Sequence, residues 1–140
     1  SKTYYDALFN LYKNKDTGNF TARMNSLFKA LGDKTQSSDY GKAAQDLYNA
    51  AGKKLTADDH HQAISWVEQA LKGENDVTSK INYFVMLGDS YKFLKDYNKA
   101  RSYYNQGYAL TLQMGQMEMT QQMMQFSIKR KLSELELLEK

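Results

Sequence analysis

Asp58, Asp59, His60 and His61 are four consecutive side chains able to bind a metal or move a proton, and both histidines of the chain lie among them. If this run is helical, neighbouring side chains point about 100° apart, so His60 and His61 cannot face one ion. No His-Glu-x-x-His spacing exists, and two acids in a first helical turn are accounted for by the helix dipole. Other chemistries fail on similar grounds. Gly88 and Gly107 fall inside helix-like segments, not in a strand–loop–helix phosphate cradle. No nucleophile elbow surrounds any serine. The absence of cysteine excludes disulfides, thiolate metal sites and cysteine nucleophiles. The sequence therefore gives no catalytic residue, no metal site and no cofactor.

The elements around that run are set by glycine and by polar helix starters, because the chain contains no proline to end its helices. Gly32, Gly52 and Gly73 each follow an apolar-periodic stretch, where a left-handed residue is expected to close a helix. Starters follow each one: Asp33 to Ser38, Thr56 to Asp59 and Asp76 to Ser79. Thr56 and Asp59 have capping-box spacing. Asp16-Thr17-Gly18 and Lys95-Asp96 mark two further turns. Helices are predicted over 3–15, 17–31, 38–52, 57–72, 77–94, 96–114 and 116–139. Apolar spacing within them is helical, as at Leu27, Phe28 and Leu31, or at Ala63, Trp66, Val67, Ala70 and Leu71. No stretch sustains the alternation of a strand, so the fold class is all-α.

The chain has 140 residues, a size that fits a single domain over 1–140. Hydrophobic residues make up 41%, slightly below the usual ~45–50%, as a thin stacked core would require. Eleven tyrosines and six phenylalanines supply ample packing groups against disorder. A net charge of +3 with interspersed signs gives no nucleic-acid footprint. The longest bulky apolar run, Tyr83 to Leu87, falls far short of the ~20 residues of a membrane span, so no membrane contact is expected. Localisation stays open between cytoplasm and periplasm.

Between Ile81 and Leu112 the sequence resembles the tetratricopeptide repeat family. Phe84, Leu87, Gly88 and Tyr91 match the first helix of that motif, and Tyr97, Ala100, Tyr104 and Gly107 match the second. Small residues at Gly88, Ala100 and Gly107 let helices approach, and Phe84, Tyr91 and Tyr104 fill the space between layers. A weaker copy aligns Ala63, Val67 and Ala70 with Ala100, Tyr104 and Gly107, with an enlarged loop after Gly73. A third aligns Phe20, Leu27 and Ala30. The family proline is missing, with Leu112 in its place.

The resemblance implies a right-handed α-α superhelix of about three helical hairpins, 3–32, 38–73 and 77–114. A long closing helix, 116–139, would cap it with a polar outer face or run on into the rest of a longer chain. It also implies a non-enzymatic scaffold for a protein or extended peptide, in the setting of a bacterial signal-transduction or regulatory protein. The concave face would present Tyr12, Tyr48, Asn82, Val85, Asp89 and Lys92. The family's clamp for a terminal carboxylate is not matched, since its places hold Leu8, Tyr12, Tyr48, Gly52, Val85 and Asp89. A peptide-pheromone receptor and a self-associating adaptor are the alternatives.

In the last segment Met117, Met124, Ile128, Leu132, Leu135 and Leu138 form an apolar stripe. Its polar side carries Lys129, Arg130, Lys131, Glu134, Glu136 and Glu139. The methionines between 114 and 124 cover more than one helix face. Met117, Met119 and Met123 are thus candidates for a partner contact or for a homodimer through this helix.

Overall fold

A computed structural model describes residues 2–114 and 118–140 of the chain. Among the described residues seven α-helices follow one another: α1 (Lys2–Asn14), α2 (Thr17–Leu31), α3 (Ser37–Ala51), α4 (Ala57–Leu71), α5 (Val77–Phe93), α6 (Tyr97–Thr111) and α7 (Glu118–Glu139). No strand occurs among the described residues, and the all-α prediction holds. The helices fall into two compact units, 1–73 and 74–140.

Two kinds of turn recur. In the first, Lys15 and Lys95 adopt positive φ (56° and 65°) and hand over to the helix-capping residues Asp16 and Asp96. Each aspartate side chain accepts from a backbone N–H three residues on, Asn19 or Lys99, and so satisfies an orphan donor of the first turn. In the second, Gly32 and Gly52 each open a 3-10 turn, and an extended residue follows (Thr35 and Leu55). Capping boxes come next. Gln36 N–H donates to the Asp39 carboxylate (2.8 Å), and Thr56 N–H to that of Asp59 (2.9 Å).

The three glycines expected to close helices do so differently from the prediction. Gly32 and Gly52 have positive φ (52° and 47°) but ψ of −123° and −115°, outside the left-handed helical region and open chiefly to glycine. Gly73 has no positive φ; it lies so close to Ser37 that a Cβ would overlap the serine hydroxyl. The enlarged loop expected after Gly73 is also missing. The linker 72–76 is as long as 32–36 and 52–56, and α5 is the longer element, with 17 residues against 15 in α3.

Unit 1–73 is built on Trp66. Phe20 and Phe28 meet it edge-on, with ring centroids 6.2 and 6.1 Å away. The Trp66 indole N–H donates to Asn25 Oδ1 (3.1 Å), and the Asn25 amide donates to Gln62 (2.8 Å). Alanines 43, 44, 50 and 51 of α3 and 63 and 70 of α4 are buried, and small side chains of this kind let helices pack closely.

Unit 74–140 is built on an interlock between α5 and α6. The Tyr104 ring fills the notch left by Gly88, where any Cβ would run into ring carbons. Ile81, Ala100, Ile128 and Leu135 complete that core. On another side of the hairpin, Tyr103 lies stacked on both Phe84 and Tyr91, with centroids 6.1 and 5.6 Å away.

The interlock separates two glycines of identical helix propensity. Gly88→Ala is expected to destabilise the protein by about 2 kcal/mol through overpacking. A Cβ at Gly107 would meet Phe84 and Ile128 at ordinary contact distances of 3.5 and 3.6 Å. Gly107→Ala should then stabilise by roughly 0.5–1 kcal/mol from helix propensity alone. Chemical denaturation of the two variants checks the opposite signs.

Candidate functional site

Helix α5 presents Val85, Asp89 and Lys92 at heptad-like spacing, and α7, which packs along α6, reaches this face through side chains. The register of α7 follows from its contacts. Gln121 and Gln125 donate to the Thr111 carbonyl (2.7 Å) and hydroxyl (3.0 Å), Ile128 packs beside Gly107, and Glu139 pairs with Arg101. α7 therefore runs antiparallel to α6 and back along its length.

Two polar ties then reach α5. Lys131 Nζ bridges both Asp89 oxygens at 2.9 and 3.2 Å, and Lys92 Nζ meets Glu134 at 3.3 Å. Asp89 also accepts from the buried Tyr104 hydroxyl at 2.5 Å. A carboxylate shared by a phenol and an ammonium satisfies both donors.

The residues expected to face a partner separate on this geometry. Within 74–140, Asn82 is exposed and Val85 packs against the core. Asp89 and Lys92 are engaged by Lys131 and Glu134, so α7 of the same chain occupies the polar groups assigned to a ligand. Within 1–73, Tyr12 is 44% exposed and lies on one helical face with the exposed Tyr5 and Phe9. Tyr48 is half-buried, edge-on to His60 at 6.0 Å.

The Asp58–His61 run resolves as its spacing requires. Asp59 is buried in the capping box and His60 is buried against Tyr48, whereas Asp58 and His61 face solvent. Among the described residues no group of three or more acids and histidines could hold a metal ion, and no helix is long and apolar enough to cross a membrane.

The structure also extends the contact expected at Met119 and Met123 into a longer surface, adding Phe126 and Leu137, which the sequence reading misses. The buried line of α7 is Ile128 and Leu135, flanked by the half-buried Met124 and Leu132. Opposite it, roughly 180° around a helix of 3.6 residues per turn, run Met119, Met123, Phe126 and Leu137. Each of these four is at least 67% exposed. The outer face expected to be polar is thus apolar at four positions, with Arg130 and Ser133 between them. Of the other residues assigned to the stripe or to a dimer contact, Leu138 is about half exposed and Met117 lies outside the described residues. The sequence does carry the signal: 119, 123, 126, 130, 133 and 137 advance by alternating fours and threes, the spacing of a second helical face.

No family model matches this chain, and no curated protein or solved structure matches it either. The site is therefore read from its own geometry.

The Asp89 cluster predicts unequal losses. Asp89→Ala leaves the Tyr104 hydroxyl without its acceptor and should cost roughly 1–3 kcal/mol. Lys131→Met keeps that hydrogen bond, removes only a partly exposed ion pair, and should cost less than about 1 kcal/mol. Urea titration of both variants and their double mutant measures the difference and the coupling.

Proposed function

We propose that the chain is a non-enzymatic interaction module of the tetratricopeptide-like kind, serving as a scaffold in a bacterial regulatory protein. Its binding element is the outer line of α7, and its partner is an amphipathic helical segment of another protein. The observation that carries this reading is the two-sided apolar character of α7. A helix that buries one apolar line and exposes a second is suited to the middle of a stack, with helices on both sides. Met119 and Met123 provide flexible, polarisable contacts, and Phe126 a rigid anchor. Support for the tetratricopeptide-like part comes from the Gly88–Tyr104 interlock and the repeated Lys-Asp turns at 15–16 and 95–96.

A second reading, self-association, is favoured by the symmetry of that line. In an antiparallel pair of α7 helices centred on residue 128, Met119 meets Leu137 of the copy and Phe126 meets Arg130. Those are an apolar contact and a cation–π contact, respectively.

Selection of displayed helical peptides on the folded protein tests the first reading. Recovered sequences are expected to carry apolar residues at i, i+3 or i+4, and i+7, and to bind roughly tenfold or more weakly to Phe126→Glu. Binders indifferent to both Phe126→Glu and Met123→Glu would sink it. Light scattering over a concentration series separates the second reading: a dimer that Phe126→Glu dissociates supports it, and a concentration-independent monomer rejects it.

A further inference from the structure

Within 1–73, a cavity of about 290 Å³ opens where the start of α1, the second half of α2 and the first half of α3 meet. Its walls are Met24, Leu27, Phe28, Leu31 and Ala43, and Tyr4, Asp39 and Lys42 stand among its lining residues as the polar groups. It is a recess partly open to solvent, and its apolar lining lacks the contacts that close packing would give it. At the ~30 Å³ that one water occupies in the liquid, the space holds about ten non-hydrogen atoms. It is thus small for a drug-sized ligand but ample for a short apolar chain.

The polar groups decide which chain. Asp39 is committed to its capping box, accepting from Gln36 N–H at 2.8 Å. Asp46, nearby, accepts from the Tyr4 hydroxyl at 2.6 Å. Lys42 stands differently: its ammonium lies 5.0 Å over the Tyr4 ring. Among the described residues no carboxylate lies within ion-pair distance of it. A hydrogen bond to the Tyr4 hydroxyl, more than any other influence, pushes the Lys42 pKa up from its ordinary value, so the group stays cationic. An ammonium has three donors. Those not given to Tyr4 can meet an anion while the apolar walls take its tail.

The geometry points to a binding site for a free medium-chain monocarboxylate, with its tail among Met24, Leu27, Phe28 and Leu31 and its carboxylate on Lys42. This assignment does not depend on the reading of α7. Saturated carboxylates of about eight carbons match the volume.

Trp66, the chain's single tryptophan, reports on the cavity because Phe28, one of its walls, lies edge-on to the indole. Octanoate is the probe, titrated by tryptophan fluorescence and by calorimetry, with octanol and octylammonium as neutral and cationic controls. Octanoate is expected to bind with Kd below roughly 1 mM and about tenfold or more tightly than octanol, with octylammonium weaker still. Butanoate should bind more weakly than octanoate, having too few methylenes to fill the void.

Lys42→Met, at an exposed position that leaves the core untouched, should reduce octanoate to the affinity of octanol and leave octanol unchanged. Ala43→Leu, growing into the void from its wall, should abolish both. No calorimetric signal for octanoate at 25 °C and at a second temperature, equal binding of octanoate and octylammonium, or an affinity unmoved by Lys42→Met would each overturn the assignment. Should Ala43→Leu fail to fold, the comparison of octanoate with octanol on Lys42→Met decides alone, since that substitution does not disturb the core.

Discussion

The ring of Tyr104 in the notch at Gly88 is the contact on which residues 74–140 depend. A tyrosine fully buried between helices supplies much of a small core, but only if its hydroxyl finds a partner. Asp89, next in sequence to the glycine that admits the ring, is that partner. A half-buried carboxylate in turn gains from a cation, and Lys131 of α7 provides one. One close approach of two helices thus determines where the acid stands, and the acid determines where the third helix places a lysine. The chain of cause runs from a missing Cβ to the docking of an element more than forty residues away.

Residues 1–73 solve the same packing problem with other means. The buried Trp66 is the large aromatic at the centre of this unit, and its indole N–H is satisfied by Asn25 rather than by an acid. Close approach is distributed over six alanines instead of being concentrated at one glycine.

Local signals predict the helices of this chain well, because each is bounded by a residue with a local reason to be there. Asp16, Thr56, Asp76 and Asp96 cap the helices they precede, and each does so within three residues. Gly73 suggests a helix-closing conformation but serves a contact with Ser37, a tertiary fact that no local rule contains. The positions of Asp89 and Lys92 on α5 suggest an external partner. Their actual partners lie 42 residues on, beyond any periodicity argument. The outer line of α7 is only half visible, through Met119 and Met123, for a different reason. Apolar residues on opposite sides of a helix cancel in any measure of one-sidedness, so a reading that looks for one stripe finds Ile128, Leu132 and Leu135 and takes the other side as polar.

The ion pairs along α7 are better understood as fixing register than as stabilising. Partly exposed pairs such as Lys92–Glu134 contribute little, about 0–1 kcal/mol each. An apolar line with helical spacing, however, tolerates sliding by one turn, about 5.4 Å, at modest loss of packing. Charges do not tolerate it. Shifted one turn so that Arg130 takes the place of Glu134, α7 would set Arg130 against Lys92 and bring the neutral Ser127 to Asp89. Shifted the other way, Leu138 and Leu135 would face Lys92 and Asp89. Either slip leaves the Asp89 carboxylate without its cation, and one adds a like-charge contact. The pairs Lys131–Asp89, Lys92–Glu134 and Arg101–Glu139 thus select one register among apolar near-equals. A slip of one turn keeps the same face of α7 outward, so the charges fix its position along α6, while the buried Ile128 and Leu135 on the opposite side turn Met119, Met123, Phe126 and Leu137 to the surface.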